Sequence, residues 1–156
     1  MADETITIGI GAYVVADKPC VLETLGLGSC VGICIWDRTT RVGGLAHIML
    51  GKSNGRETNP NRFADKALPA MIDEMMAKGA KITFMAAKIF GGASLFEADT
   101  FNIGGENVKT VKEILEQKRI PIIASDVGGN HGRSVWFDVK TGSVVVGSVF
   151  GPTQEY

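Results

Sequence analysis

Apolar and polar positions along the chain follow the two periods that separate strands from helices. Residues 5–15 (TITIGIGAYVV) alternate apolar with small or polar side chains and predict a strand. Val21–Gly26 predicts a short second one. Val31–Trp36 (VGICIW) is β-branched and aromatic-rich, and stops at the polar turn Asp37-Arg38-Thr39-Thr40. Val42–Leu50 (VGGLAHIML) returns as its hairpin partner. A polar stretch follows, Lys52–Asn61 (KSNGRETNPN), with the composition of a surface loop.

At Phe63 the period changes. From there to Lys78, the residues Ala67, Leu68, Met71, Ile72, Met75 and Met76 share one helical face, and Gly79 is placed to cap it. Pro69 lies inside this pattern, so the helix either begins near it or bends there. Ile82–Phe90 is apolar and ends at glycine, as a buried strand does. Val108, Val111, Ile114 and Leu115 predict a second helix over 105–118, with lysine and arginine at its end. Ile120–Ala124, Ser134–Val139 and Ser143–Val149 read as strands, the last two joined by the turn Lys140-Thr141-Gly142. The sum is about eight short strands and two long helices. Hairpins near both ends argue against a doubly wound parallel sheet, and the class is α+β. No repeat or linker divides residues 1–156, a length that suits one domain.

Charge narrows the function classes. Sixteen basic residues face 17 acidic ones, for a net charge of −1, with no basic run for nucleic acid or an anionic membrane to bind. No stretch approaches the ~20 apolar residues of a spanning helix, and the first residues are acidic where a signal peptide is basic. The expected setting is cytoplasmic, with no membrane insertion. Cys20, Cys30 and Cys34 are too few, and the last two too widely spaced, for a disulfide scaffold or a structural zinc. No metal or cofactor is expected.

Glycine, at 20 of 156 residues, is about twice its usual ~7% share, with doublets at 43–44, 91–92, 104–105 and 128–129. Phosphate loops are the obvious reading, and both fingerprints fail. Gly26-Leu27-Gly28-Ser29-Cys30-Val31 has valine where a dinucleotide loop needs glycine, and Gly104–Thr110 (GGENVKT) has valine before its lysine. Asp126–Arg133 (DVGGNHGR) offers backbone amides and Arg133 to an anion, but reads more simply as a tight turn with His131 at the surface.

The chemistry concentrates on Cys30. Gly28-Ser29-Cys30-Val31-Gly32 has the spacing of a Gly-x-Ser-x-Gly nucleophile elbow with cysteine at its centre, although VGICIW runs on as a strand and not as a helix. A thiol needs a base, because a free cysteine ionises only near ~8.5. His47 sits in the strand expected to pair with the one that begins after Cys30, so the hairpin brings both toward its open end. Ser29 is a second nucleophile candidate, a hydroxyl without a base of its own. Cys20 and Cys34 read as small buried apolar residues.

Read together, Thr24–Val31 (TLGLGSCV) and Gly44–Leu50 (GLAHIML) resemble the CheD family, chemoreceptor glutamine deamidases of bacterial and archaeal chemotaxis. The likeness continues in order through Lys88–Ala93 (KIFGGA), Ile103–Asn107 (IGGEN) and Asp126–Asn130 (DVGGN), and so spans nearly the whole chain. The resemblance implies an α/β/β three-layer sandwich, related in its core to the cytotoxic necrotizing factor toxins. It implies Cys30 as nucleophile, His47 as general base and Thr24 as the residue that orients the histidine. It also implies, as partners, the cytoplasmic helices of methyl-accepting chemoreceptors and a CheC-type phosphatase of the response regulator CheY. Backbone amides of the Gly28-Ser29-Cys30 turn are the expected oxyanion donors. Two other readings stay open on the sequence: a non-catalytic adaptor that regulates the phosphatase, and a thiol protease or amidase.

Overall fold

The computed structural model describes residues 4–55, 59–95, 102–149 and 151–156. In chain order these form β1 (Thr5–Ile8), β2 (Ala12–Ala16), β3 (Val21–Leu27), β4 (Val31–Asp37) and β5 (Gly43–Ile48). There follow α1 (Ala64–Ala77), β6 (Met85–Gly91), α2 (Ile103–Gln117), β7 (Ile122–Val127), β8 (Arg133–Asp138), β9 (Val144–Ser148) and β10 (Gly151–Glu155). The strands make two five-stranded sheets, ordered β1-β3-β8-β9-β10 and β2-β5-β4-β6-β7. Two pairs, β1 with β3 and β6 with β7, are parallel; the others are antiparallel.

The alternation along β4 and β5 explains the layering. Val31, Ile33 and Ile35 of β4, with Ala46 and Ile48 of β5, pack on Leu68, Met71, Ile72 and Met75 of α1 and on Val111 and Leu115 of α2. Their neighbours Cys34 and Leu45 turn the other way, toward Leu22, Val135, Phe137 and Val146 of the first sheet. The second sheet is therefore buried on both faces, and the order helices, sheet, sheet is the α/β/β sandwich. Gly43 and Gly44 keep β5 thin: a Cβ on Gly43 would lie 3.1 Å from the Phe137 ring, and one on Gly44 2.9 Å from Met71 Sδ. Asp37 closes the β4–β5 turn by accepting from the Thr39 and Thr40 N–H groups, the Thr39 hydroxyl and the Lys81 N–H. Burial raises its pKa, and these hydrogen bonds outweigh that and hold the carboxyl down to about 2.

Several expectations are corrected. Residues 5–15 form two strands in different sheets, not one, because a turn at Ile10-Gly11 lets the chain step between layers without breaking the alternation. Gly11 takes a φ of +76° there. Ile82–Phe84 is a 3-10 turn and the strand starts at Met85; a short apolar run does not by itself distinguish the two. β10 (GPTQE) has no apolar alternation and is exposed throughout, so the pattern does not reveal it. α1 begins at Ala64 and runs through Pro69, whose missing N–H falls at one solvent-edge position of an otherwise continuous helix. It ends in a Schellman cap, with Gly79 N–H on Met76 O and Ala80 N–H on Met75 O. Met76 leaves the core face and is exposed. α2 starts two residues earlier than expected, at Ile103, capped by Asn102, whose side chain accepts the Gly105 N–H. Of the expected loop Lys52–Asn61, residues 56–58 lie outside the described residues.

Candidate active site

The β4–β5 register sets the site. Val31 pairs with Ile48 and Gly32 with His47, so Cys30, one residue before β4, lies at the open end of the hairpin, diagonal to His47. His47 faces the first sheet and is 1% exposed. Gly32, opposite it, carries no side chain, and the space is filled by Leu27 and the Thr24 methyl. Cys30 is 8% exposed and leads into a strand, not a helix, so it is not the elbow of an α/β-hydrolase. Of the glycines around it, Gly26 has a positive φ (+70°), whereas Gly28 and Gly32 have none and make room for Leu95 and Leu27.

Thr24 lies against His47. Its hydroxyl donates to Ile8 O at 2.9 Å and lies 2.6 Å from His47 Nδ1. A hydroxyl has one proton, and Ile8 O takes it. Thr24 Oγ1 must therefore accept from Nδ1–H, which leaves the lone pair on Nε2. Nε2 is buried with no hydrogen-bond partner among the described residues. Burial lowers the pKa of His47 and raises that of Cys30, whose own backbone N–H lies against its sulfur and partly offsets this. The resting pair is a neutral thiol and a neutral imidazole with an open acceptor nitrogen. Thiol and imidazole are not hydrogen-bonded to each other here, an arrangement common when no substrate is bound.

The turn carrying Cys30 is held through its carbonyls. Gly28 O accepts from Ala93 N, Cys30 O from Gly92 N, and Ser29 O from Asn107 Nδ2. The strap at Gly91-Gly92 needs glycine at both positions. Gly91 has a φ of +104° and a Cβ there would collide with Cys30 O; Gly92 has a φ of +64°. Gly91→Ala is expected to destabilise the protein by about 1–3 kcal/mol and to loosen the turn that carries Cys30, read as a lower denaturation midpoint. An unchanged midpoint would contradict this close approach.

Arg133 is not turned toward an anion, the less simple of the two readings of this segment. It is buried, its guanidinium lies 3.3 Å from Asp126, and it reaches Gly91 O. His131 sits half-buried in the β7–β8 loop beside it. Cys20 and Cys34 are buried in the core, and burial pushes the Cys34 thiol strongly up. Among the described residues no group of three metal-binding side chains converges. Asn107 has no role in the sequence reading, although its motif enters both the phosphate test and the family resemblance. Arg133 is offered there to an anion, because the partner Asp126 becomes adjacent only when β7 and β8 are brought together.

An α/β/β sandwich with a cysteine and a tautomer-fixed histidine at one hairpin mouth defines a class of α+β proteins with a thiol–imidazole site. The chain belongs to the CheD family. The family model for CheD chemotactic sensory transduction matches residues 49–148. The chain is 45% identical over 147 residues to a Thermotoga maritima protein named chemoreceptor glutamine deamidase CheD, covering 94% of each. It is 44% identical over 153 residues to a Desulforamulus reducens protein named as a probable one, covering 94% of this chain and 92% of that one. A crystal structure of the Bacillus licheniformis hypothetical protein YfiH shares the fold, with a TM-score of 0.51 and 14% identity over 73% of this chain and 49% of that chain. Among the described residues no helix is long and apolar enough to cross a membrane.

Proposed function

We propose that the protein is a glutamine deamidase of chemoreceptors that works through the Cys30 thiol. The relatives' names support the substrate class. The observation that carries the chemistry is the Thr24 hydroxyl, which donates to Ile8 O and so holds His47 with Nε2 as a free base. His47 Nε2 takes the Cys30 proton as the sulfur attacks the carboxamide carbon of a glutamine side chain. The C–S bond forms and the carbonyl electrons move onto oxygen, met by amides of the Gly28-Ser29-Cys30 turn, a contribution of ~10²–10³ in rate. His47 returns the proton to the nitrogen as the C–N bond breaks and ammonia leaves, worth ~10²–10⁴. Water, deprotonated by the same Nε2, then hydrolyses the thioester to a glutamate carboxylate and restores the thiol. Each turnover adds one negative charge to a receptor helix.

The test is a chemoreceptor cytoplasmic fragment incubated with the protein and digested for mass spectrometry. The reading expects glutamine peptides heavier by about 1 Da, the change from amide to acid, with one ammonia released for each. An unchanged fragment would overturn it. A CheC-type phosphatase as a second partner rests on the family alone, and Cys30→Ala should still bind it.

Thr24 acts through His47 and supplies a third prediction. Thr24→Val removes the acceptor of Nδ1–H, and loss of one buried partner costs about 1–3 kcal/mol. The imidazole is then free to carry its proton on Nε2, where it cannot act as base. The expected result is a kcat lower by about 10–100-fold with KM little changed, and recovery in Thr24→Ser, which keeps the hydroxyl. Equal activity in Thr24→Val would exclude this role.

A further inference from the structure

Asn107 lies on the core side of α2, 2% exposed, in a helix face otherwise made of Val108, Val111, Ile114 and Leu115. A buried polar side chain in such a face must have its hydrogen bonds met, and its partners say what it holds. Its Nδ2 donates to Ser29 O at 2.9 Å and to Met49 O at 3.0 Å. Ser29 immediately precedes Cys30, and Met49 follows His47 by two residues. The β4–β5 ladder has its last pair at Val31 and Ile48, so both carbonyls lie just beyond it, where no ladder bond joins the two strands to each other.

We infer that Asn107 is a positioning residue that fixes the spacing of Cys30 and His47 by tying the ends of their two strands to one amide. Both N–H bonds of a single planar group are used, one for each strand, so the carbonyls cannot drift apart without breaking one of them. The amide itself is fixed by α2. Gly104, one turn before Asn107, lies so close to the Gly92 and Ala93 carbonyls that no Cβ fits between them. Those same residues donate to Cys30 O and Gly28 O. The first turn of α2 therefore grips the nucleophile turn twice, through the strap and through Asn107. The role rests on the thiol–imidazole reading of the site, because spacing matters only if a proton passes between the two groups.

The test reads Cys30 directly, without a receptor. Alkylation by iodoacetamide is followed by peptide mass in wild type, Asn107→Ala, His47→Gln and the double variant, over pH 5–9, a window set by the ordinary imidazole and thiol pKa values of ~6.5 and ~8.5. Asn107→Ala is expected to slow alkylation of Cys30 about tenfold near neutral pH, the scale of a small misplacement of reacting groups. In the His47→Gln background the same change should alter the rate less than about twofold, because the spacing no longer serves a base. With receptor fragment, kcat should fall and KM hold. Asn107→Ser, which keeps one donor, serves if the alanine variant does not fold, and should fall between the two. Wild-type alkylation rates in a folded Asn107 variant overturn the inference, as does an equal loss with and without His47. A wild type that shows His47-dependent alkylation but deamidates no receptor would fail the substrate reading while leaving Asn107's role intact.

Discussion

Cys30→Ala is expected to abolish ammonia release from a chemoreceptor fragment, a loss on the order of 10⁴-fold or more, as for other nucleophile deletions. Thermal stability should fall only modestly, because the change removes one small side chain that is buried at the mouth of the hairpin. Binding of the fragment should survive as well. Cys20→Ala and Cys34→Ala should behave the other way. Both thiols are buried packing groups, so their removal lowers stability and leaves turnover per folded molecule in place. Equal ammonia release by wild type and Cys30→Ala would move the chemistry to another residue, with Ser29 the next hydroxyl in the turn.

His47→Gln is the second large effect, a fall of about 10²–10⁴-fold in kcat, and its pH dependence separates it from a packing defect. Burial lowers the imidazole pKa, so the neutral base persists below the ordinary value of ~6.5 and the acid limb of kcat/KM lies below that pH. Burial raises the Cys30 thiol, so the opposite limb lies above the ordinary thiol range. The plateau between them spans neutral pH. Stability follows the same group. The unfolded chain protonates His47 at about 6.5 and the folded one only at lower pH, so the unfolded state binds more protons between those values. His47 thus contributes stability fully above the unfolded pKa, and that contribution is lost as pH falls through the folded one. Both the acid limb of activity and this acid loss of stability should disappear in His47→Gln. An acid limb at or above 6.5 would contradict the buried, neutral histidine.

The legible parts of this molecule are those in which neighbours in sequence are neighbours in space. The VGICIW–VGGLAHIML hairpin, with His47 against Gly32, follows from two apolar runs and a four-residue turn. The faces of α1 and α2 follow from their period. Other features needed the sheets to be assembled first. The break at Ile10-Gly11 keeps the alternation of a single strand, yet it moves the chain from one sheet to the other and brings Ile8 O to Thr24. Thr24 meets His47 across the two sheets, 23 positions apart, and no periodicity encodes that. The CheD resemblance supplied it instead. Asn107 reaches Ser29 from 78 positions away, and its motif carries a glycine pair with the composition of a loop, although Gly104 belongs to α2 and serves its close approach to Gly92 and Ala93. The glycine excess therefore marks thinness and close approach, at Gly43, Gly44, Gly91 and Gly104, and not phosphate binding.

A thiol protease would share the cysteine, the histidine and the first covalent step, and differs in what leaves. The most direct measurement is therefore the mass of the protein quenched in acid during turnover with a glutamine-containing receptor peptide. A thioester on Cys30 is predicted, seen as protein plus intact peptide less one ammonia, mapped to the peptide containing Cys30 and absent from Cys30→Ala. An adduct carrying only part of the peptide, or no adduct while glutamate still accumulates at equal rates in Cys30→Ala, would contradict it.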